Sequence, residues 1–243
     1  MPSYKKPTIT EIYSEIFLER RSLGDSECFD LVPRFKAAGL DKIEMCQSLG
    51  FPPQSEPVPS QGKVEFVPRI RCWSPDKIRL AQVSRDVVTI NLVGQYPGWT
   101  AFQNLFDSAL TALTSVVSKE KIKSISLHTI DKFEAPTEGF TLGKYLTAGG
   151  ERIPAWYADV KDSCDINLGM GFVNREGYNK KLNIALRRTE KGYIFRINSE
   201  IHYLVKQGQV VKDLLEGLHE ESNETFESVI SDATRNTIMG GTK

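Results

Sequence analysis

A chain of 243 residues with 40% hydrophobic and 26% charged side chains lies in the ordinary globular range, long enough to bury a core as one large domain or two close halves. Its 31 basic and 31 acidic residues cancel, so no global field draws it to nucleic acid or to an anionic membrane, and any basic surface has to be local. No apolar run approaches about 18 residues and the opening MPSYKKPTITEIYSE lacks the apolar stretch of a signal peptide, so the expectation is a cytoplasmic protein with no membrane partner.

Pro7 to Arg20 fits a helix through Ile9, Ile12, Tyr13, Ile16 and Phe17, and a strand through Ile12, Ser14, Ile16 and Leu18. Its β-branched and aromatic content and its leading proline favour the strand. From Cys28 to Phe51 the text turns helical in pieces, with Pro33 admissible in a first turn and Gly39 and Gly50 as stops. Phe51 to Gly62 is a proline-rich, extended connector. Three strands follow within Lys63–Trp73, Lys77–Ser84 and Asp86–Gly94, and Pro75 suits a type I turn at Ser74–Lys77, so this region reads as an antiparallel meander.

The next stretch, YPGWTAFQNLFDSALTAL, places Trp99, Phe102, Leu105, Phe106, Ala109, Leu110, Leu113, Val116 and Val117 on one face of a helix. Thr100 and Gln103 match a capping box, which would set Trp99 before the cap as a hydrophobic staple. Beyond it, KIKSISLHTIDKFEAP alternates as a strand, GFTLGKYLTAGG suggests a short helix, and three strands fit between Asp165 and Leu204. The C-terminal segment carries Val210, Val211, Leu214, Leu215, Leu218, Phe226, Val229 and Ile230 on one side of a helix or helix pair. The element order reads as two similar halves, 1–120 and 121–243, each strand, helix, three strands and long helix, joined in one compact α+β unit. The expected architecture is antiparallel sheet with the two long helices packed on one face.

The second hairpin can be read residue by residue. A two-residue turn at Lys191-Gly192 would set Arg187 opposite Arg196, Asn183 opposite Glu200 and Lys181 opposite His202, with Leu182, Ile184, Leu186, Ile197 and Ile201 on the other face. Two facing arginines repel, and an anion or a partner between them would relieve that. The polar face of this hairpin, with Asn183, Arg187, Arg196, Asn198, Glu200 and His202, is therefore the candidate binding surface; a plain solvated face is the alternative.

Sequence motifs for a phosphate loop, a zinc protease, a nucleophile elbow and a dinucleotide fold do not occur, and Gly169 and Gly171 fall inside a strand pattern. Cys28, Cys46, Cys72 and Cys164 show no metal spacing and are expected as reduced, mostly buried thiols. Alternation sets His128 and Asp131 on opposite strand faces, and His219 has no second histidine one turn on, so no metal site and no cofactor are expected. Arg69, Arg71, Trp73 and Arg79 in the first meander come closest to basic residues interleaved with aromatics, as a nucleic-acid surface needs. The acidic C-terminal helix would repel phosphate, so nucleic acid is not the favoured partner.

The KPTITEIYSEIFLE opening, the YPGWTAFQNLF helix start, the strand after that helix and LHEESNETFESVISDATRNTIMG together resemble a sporadically distributed family of bacterial proteins of similar length with no established activity. In that family the strand after the tryptophan helix tends to carry an arginine, an aromatic and an asparagine; Ser126 to Asp131 depart from this here. The distribution is that of accessory genes such as phage-defence and toxin–antitoxin cargo. The sequence thus leans away from an enzyme and toward a protein that binds another protein, with homo-oligomerisation left open. The alternatives are a small-ligand protein or enzyme using the arginine, glutamate and histidine face, and nucleic-acid binding through the first meander.

Overall fold

The computed structural model describes residues 4–20, 22–50, 65–147, 165–173 and 177–241; the connector expected at 51–62 and Cys164 lie outside them. Nine strands form an antiparallel sheet: β1 (Ile9–Leu18), β2 (Lys42–Gly50), β3 (Glu65–Trp73), β4 (Arg79–Val83), β5 (Val87–Val93), β6 (Ile122–Ala135), β7 (Asp165–Val173), β8 (Asn179–Thr189) and β9 (Gly192–Leu204). They are hydrogen-bonded in the order β2-β3-β4-β5-β1-β6-β9-β8-β7. The helices are α1 (Asp25–Ala37), α2 (Trp99–Thr114), α3 (Leu142–Tyr145) and α4 (Val211–Val229). The fold is α+β and dominated by its sheet.

Two compact units divide the chain: a meander unit of Ser14–Val93 and Pro97–Ser124, and a hairpin unit of Met1–Tyr13, Gly94–Tyr96 and Ile125–Lys243. In the meander unit β3, β4 and β5 pair as the sequence suggests, and the Lys77 amide donates to the Ser74 carbonyl at 3.0 Å to close the first turn. The segment after Gly39 departs from expectation. Residues 42–50, read as helical, are β2, paired antiparallel with β3 from Lys42↔Trp73 to Gly50↔Glu65, so Gly50 is the end of a strand and not a helix stop. Lys, Glu, Met, Gln and Leu favour helix locally, but neighbouring strand edge overrides so weak a preference. Pro33 lies inside α1 and not in its first turn; it is on the exposed side, where water can satisfy the carbonyl it leaves unbonded.

α2 buries Phe102, Leu105, Phe106, Ala109 and Leu113 of the expected stripe and adds Ala112, while Leu110 is half-buried. Its start differs. Gly98, at φ 106°, occupies the cap, no side chain caps the helix, and Thr100 is already helical and exposed, so the Thr100/Gln103 capping box does not form. Glycine reaches that φ without the Cβ clash that an L side chain would meet, and the backbone turns into the helix there. Trp99 becomes the first helical residue, half-buried, its ring 5.5 Å from that of Phe102. Cys28 and Cys72 are buried and burial pushes their thiols up to about 11; with Cys46 they are free thiols.

In the hairpin unit the core gathers Phe133 of β6, Tyr145 of α3, Leu182, Ile184 and Leu186 of β8, Phe195 and Ile197 of β9, and Phe226 and Val229 of α4. Burying each such side chain contributes roughly 1.5–3 kcal/mol, which is what holds α4 against the sheet. A polar seam runs beneath the same helix. Lys180 forms an ion pair with Glu221, and Ser222 Oγ lies 3.4 Å from Thr129 Oγ1 and 3.5 Å from Ser199 Oγ. At its end Tyr4 donates to Glu227 Oε1 at 2.6 Å while Arg235 Nε donates to Glu227 Oε2 at 2.8 Å. Among the described residues no helix is long and apolar enough to cross a membrane.

Candidate functional site

β8 and β9 sort their side chains by strict alternation. Lys180, Leu182, Ile184 and Leu186 on β8 and Phe195, Ile197, Ser199 and Ile201 on β9 are buried, while Lys181, Asn183 and Arg187 on β8 and Arg196 on β9 are exposed and Asn198, Glu200 and His202 are half-buried. The ladder sets the register with Thr189↔Gly192, Asn183↔Asn198, Lys181↔Glu200 and Asn179↔His202. The turn is therefore Glu190-Lys191, one residue earlier than Lys191-Gly192, and each expected partner moves by two. A shift of two leaves every side chain on its expected face, because the strand period is two. It does separate the two arginines: Arg187 faces Ile194 and Arg196 faces Ala185. The arginine pair that suggested a bridging anion is absent.

On this polar face the hairpin unit has a cavity of about 590 Å³. Its walls include Asn183, Arg196, Asn198 and Glu200 from the expected set, joined by Asn179 and Lys181 of the same hairpin. Tyr13 and His128 line it too, from β1 and β6, together with Gly169, Met170 and Gly171 of β7. Arg187 and His202 do not. Tyr13 and His128 stack face to face, with ring centres 4.2 Å apart and planes 7° from parallel, and Ser126 Oγ lies 2.9 Å from His128 Nε2. Lys181 Nζ is 2.9 Å from Glu200 Oε1, so this acid and base neutralise each other.

Arg196 differs. Its Nε donates to Asn198 Oδ1 at 3.1 Å, which orients the guanidinium and commits the amide oxygen, and no carboxylate among the described residues pairs with it. The terminal guanidinium nitrogens and the Asn198 amide nitrogen are left as donors on the cavity wall, a geometry that suits a planar oxyanion or an amide-bearing ligand. Asp131, one strand position beyond Ile130 of the cavity wall, points the other way into the protein, where it accepts a hydrogen bond from Thr8 Oγ1 at 2.7 Å. Burial pushes its carboxyl up to about 7, and the same negative charge, after burial, helps to raise the Tyr96 phenol. His128 and Asp131 thus lie on opposite faces of β6 and cannot work as a base and its orienting acid.

The basic residues of the first meander do not converge. Arg69, Arg71 and Trp73 alternate onto one face of β3, where Arg71 Nε donates to Gln82 Oε1 at 3.1 Å and Trp73 Nε1 to Glu44 Oε2 at 3.1 Å. Arg79 falls on the opposite face, close to Gly39 at the end of α1. His219, on α4, is held by burial down to about 4 and is neutral at ordinary pH. Among the described residues no group of three acidic, histidine or cysteine side chains is placed to hold a metal. No protein-family model matches the chain, and no curated protein matches it in sequence.

Proposed function

We propose that this chain is a non-enzymatic binding protein whose recognition site is the cavity on the polar face of β6, β8 and β9. The observation that carries the reading is Arg196: a cation lining a cavity of about 590 Å³, oriented by a neighbouring amide and without a carboxylate partner among the described residues. Binding sites for small molecules commonly enclose about 300–1,000 Å³ and use a few convergent polar groups to fix orientation. Native mass spectrometry of the chain purified without extensive dialysis, with thermal-shift screening against small polar metabolites, tests it. A bound small molecule, or a compound that raises Tm, supports the reading; an empty chain that no compound stabilises rejects it.

Docking of another protein's extended segment is a second reading, favoured by β7. This strand stands at the end of the sheet order, and Met170 and Val173 are 37% and 68% exposed. An added strand would find backbone donors and acceptors there and reach the same cavity past Gly169 and Gly171.

We infer, further, that the two halves are a duplication: the first strand of each lies next to the last strand of its own meander, β1 beside β5 and β6 beside β9. The counterpart of the polar face in the meander unit is closed by its own side chains, since Arg71 donates to Gln82 and Gln82 Nε2 donates to Asn91 Oδ1 at 3.2 Å. That contrast favours the second half as the binding half.

A further inference from the structure

Two glycines shape the cavity and narrow its ligand, an inference that rests on the binding reading above. Gly169 pairs with Asn183 and Gly171 with Lys181, which in turn pair with Asn198 and Glu200, so both glycines belong to the polar face. Among the described residues a Cβ on Gly169 would meet nothing within 4 Å, and one on Gly171 only the Lys180 carbonyl oxygen at 3.8 Å. Lys181 is drawn to Glu200 of β9, away from β7. The cavity side of β7 is therefore bare backbone at these two positions, and Ala185 is the small neighbour that faces Arg196. Strands stand about 4.8 Å apart and rise about 3.4 Å per residue, so the trough from Arg196 to Gly169 and Gly171 spans about 12–17 Å. An extended chain of about four residues covers that length, and a single sugar or amino acid does not. Charge narrows the end group. With Lys181 and Glu200 cancelling, the lysine, arginine and carboxylate side chains of the wall leave one net positive charge. That matches a carboxylate, whose two oxygens fit the guanidinium fork, better than a phosphate ester, which carries about −1.5 to −2. Asn183 has no side-chain hydrogen bond among the described residues and Asn198 keeps its amide nitrogen, so these amides can pair with peptide groups.

We propose that the cavity binds a short peptide by its free C-terminal carboxylate, held by Arg196, with Asn183 and Asn198 bonding its last peptide groups and its chain running over Gly169 and Gly171. Affinity selection of the full chain against a mixed-sequence tetrapeptide library with free carboxyl ends, read by mass spectrometry, supplies the probes. Isothermal titration then compares the enriched peptides with their C-terminal amides, on the wild type, R196Q and G171V. Expected is saturable binding of the free acids, weakened about ten-fold or more for the amides and for R196Q, because a charge-assisted contact is lost. Valine suits a strand and its Cβ enters open space, so G171V should keep or raise the urea midpoint. The same side chain fills the trough and should weaken the peptides about ten-fold or more by overpacking. No enrichment over R196Q, equal binding of the amides, or unweakened binding by G171V would overturn the proposal. Tighter binding of a longer peptide with the same end would overturn it too, in favour of the tail of a partner protein. If the metabolite screen yields a ligand without a carboxylate whose binding needs Arg196, the peptide inference fails while the binding reading stands.

Discussion

Arg196 faces Ala185 across the β8–β9 ladder, and the small side chain leaves the guanidinium to be oriented by Asn198 on its own strand. Ala185 is half-buried at the position where a partner carboxylate would sit. Replacing it with glutamate should create a cross-strand ion pair and occupy the cation internally. Cross-strand pairs of opposite charge contribute roughly 0.2–1 kcal/mol, so A185E should keep or slightly raise stability while losing ligand binding. Urea denaturation and ligand-dependent thermal shift, measured on the same preparation, read the two effects separately.

Gly192 follows the hairpin turn at φ 152°, and a Cβ there would press into the Ala135 carbonyl oxygen. The obstacle is backbone, which cannot swing aside as a side-chain tip could. G192A is expected to destabilise the chain by about 1–3 kcal/mol, the usual range for overpacking. A midpoint in urea equal to that of the wild type would show that β6 yields more readily than its pairing implies.

Asp131 makes stability depend on pH. Its carboxyl is pushed from 3.8 up to about 7, chiefly by burial, with Glu227 adding to the rise and the Thr8 hydroxyl opposing it. Because the folded state prefers the protonated form, its contribution is complete below about pH 4, declines as the pH rises through about 7, and changes little above that. D131N keeps an acceptor for Thr8 but cannot ionise. It should flatten the stability profile across this window and exceed the wild type by a few kcal/mol at about pH 8. Denaturation midpoints at stepped pH give the slope directly; an unchanged slope in D131N would assign the dependence elsewhere.

The Lys180–Glu221 ion pair joins β8 to α4 with side chains only 8% and 16% exposed. Breaking it from one side strands a charge under the helix. K180M is expected to cost about 3–5 kcal/mol, and K180M/E221L to recover most of it, because an apolar pair removes the second desolvation penalty as well. A double-mutant cycle on urea midpoints checks this.

Local pattern made much of the frame legible. β1 and β3–β9 follow from alternation and β-branched content, and α2 and α4 from apolar spacing, while the polar face of β8 and β9 survived a two-residue register shift because faces repeat every second residue. What pattern could not supply was pairing across the fold. The helix-favouring residues of β2 become strand only beside β3, and Arg187 and Arg196 separate only once the turn is fixed at Glu190-Lys191. Gly98 took the cap that Thr100 and Gln103 seemed written for, by a positive φ that no hydrogen-bonding motif marks. Tyr13 and His128 themselves lie more than 50 residues before the hairpin in sequence, and only the position of β6 beside β9 reveals them.

Arg187 and Arg196 offer the most direct test of the account, since both are exposed on the same hairpin face and only Arg196 lines the cavity. Ligand-dependent thermal shift should be compared for the wild type, R187A and R196A with any small molecule that stabilises the wild type. The account predicts that R187A keeps the full shift and R196A loses it, with all three chains melting alike when no ligand is added. An equal shift in R196A, or an equal loss in both variants, would contradict the assignment of binding to this cavity.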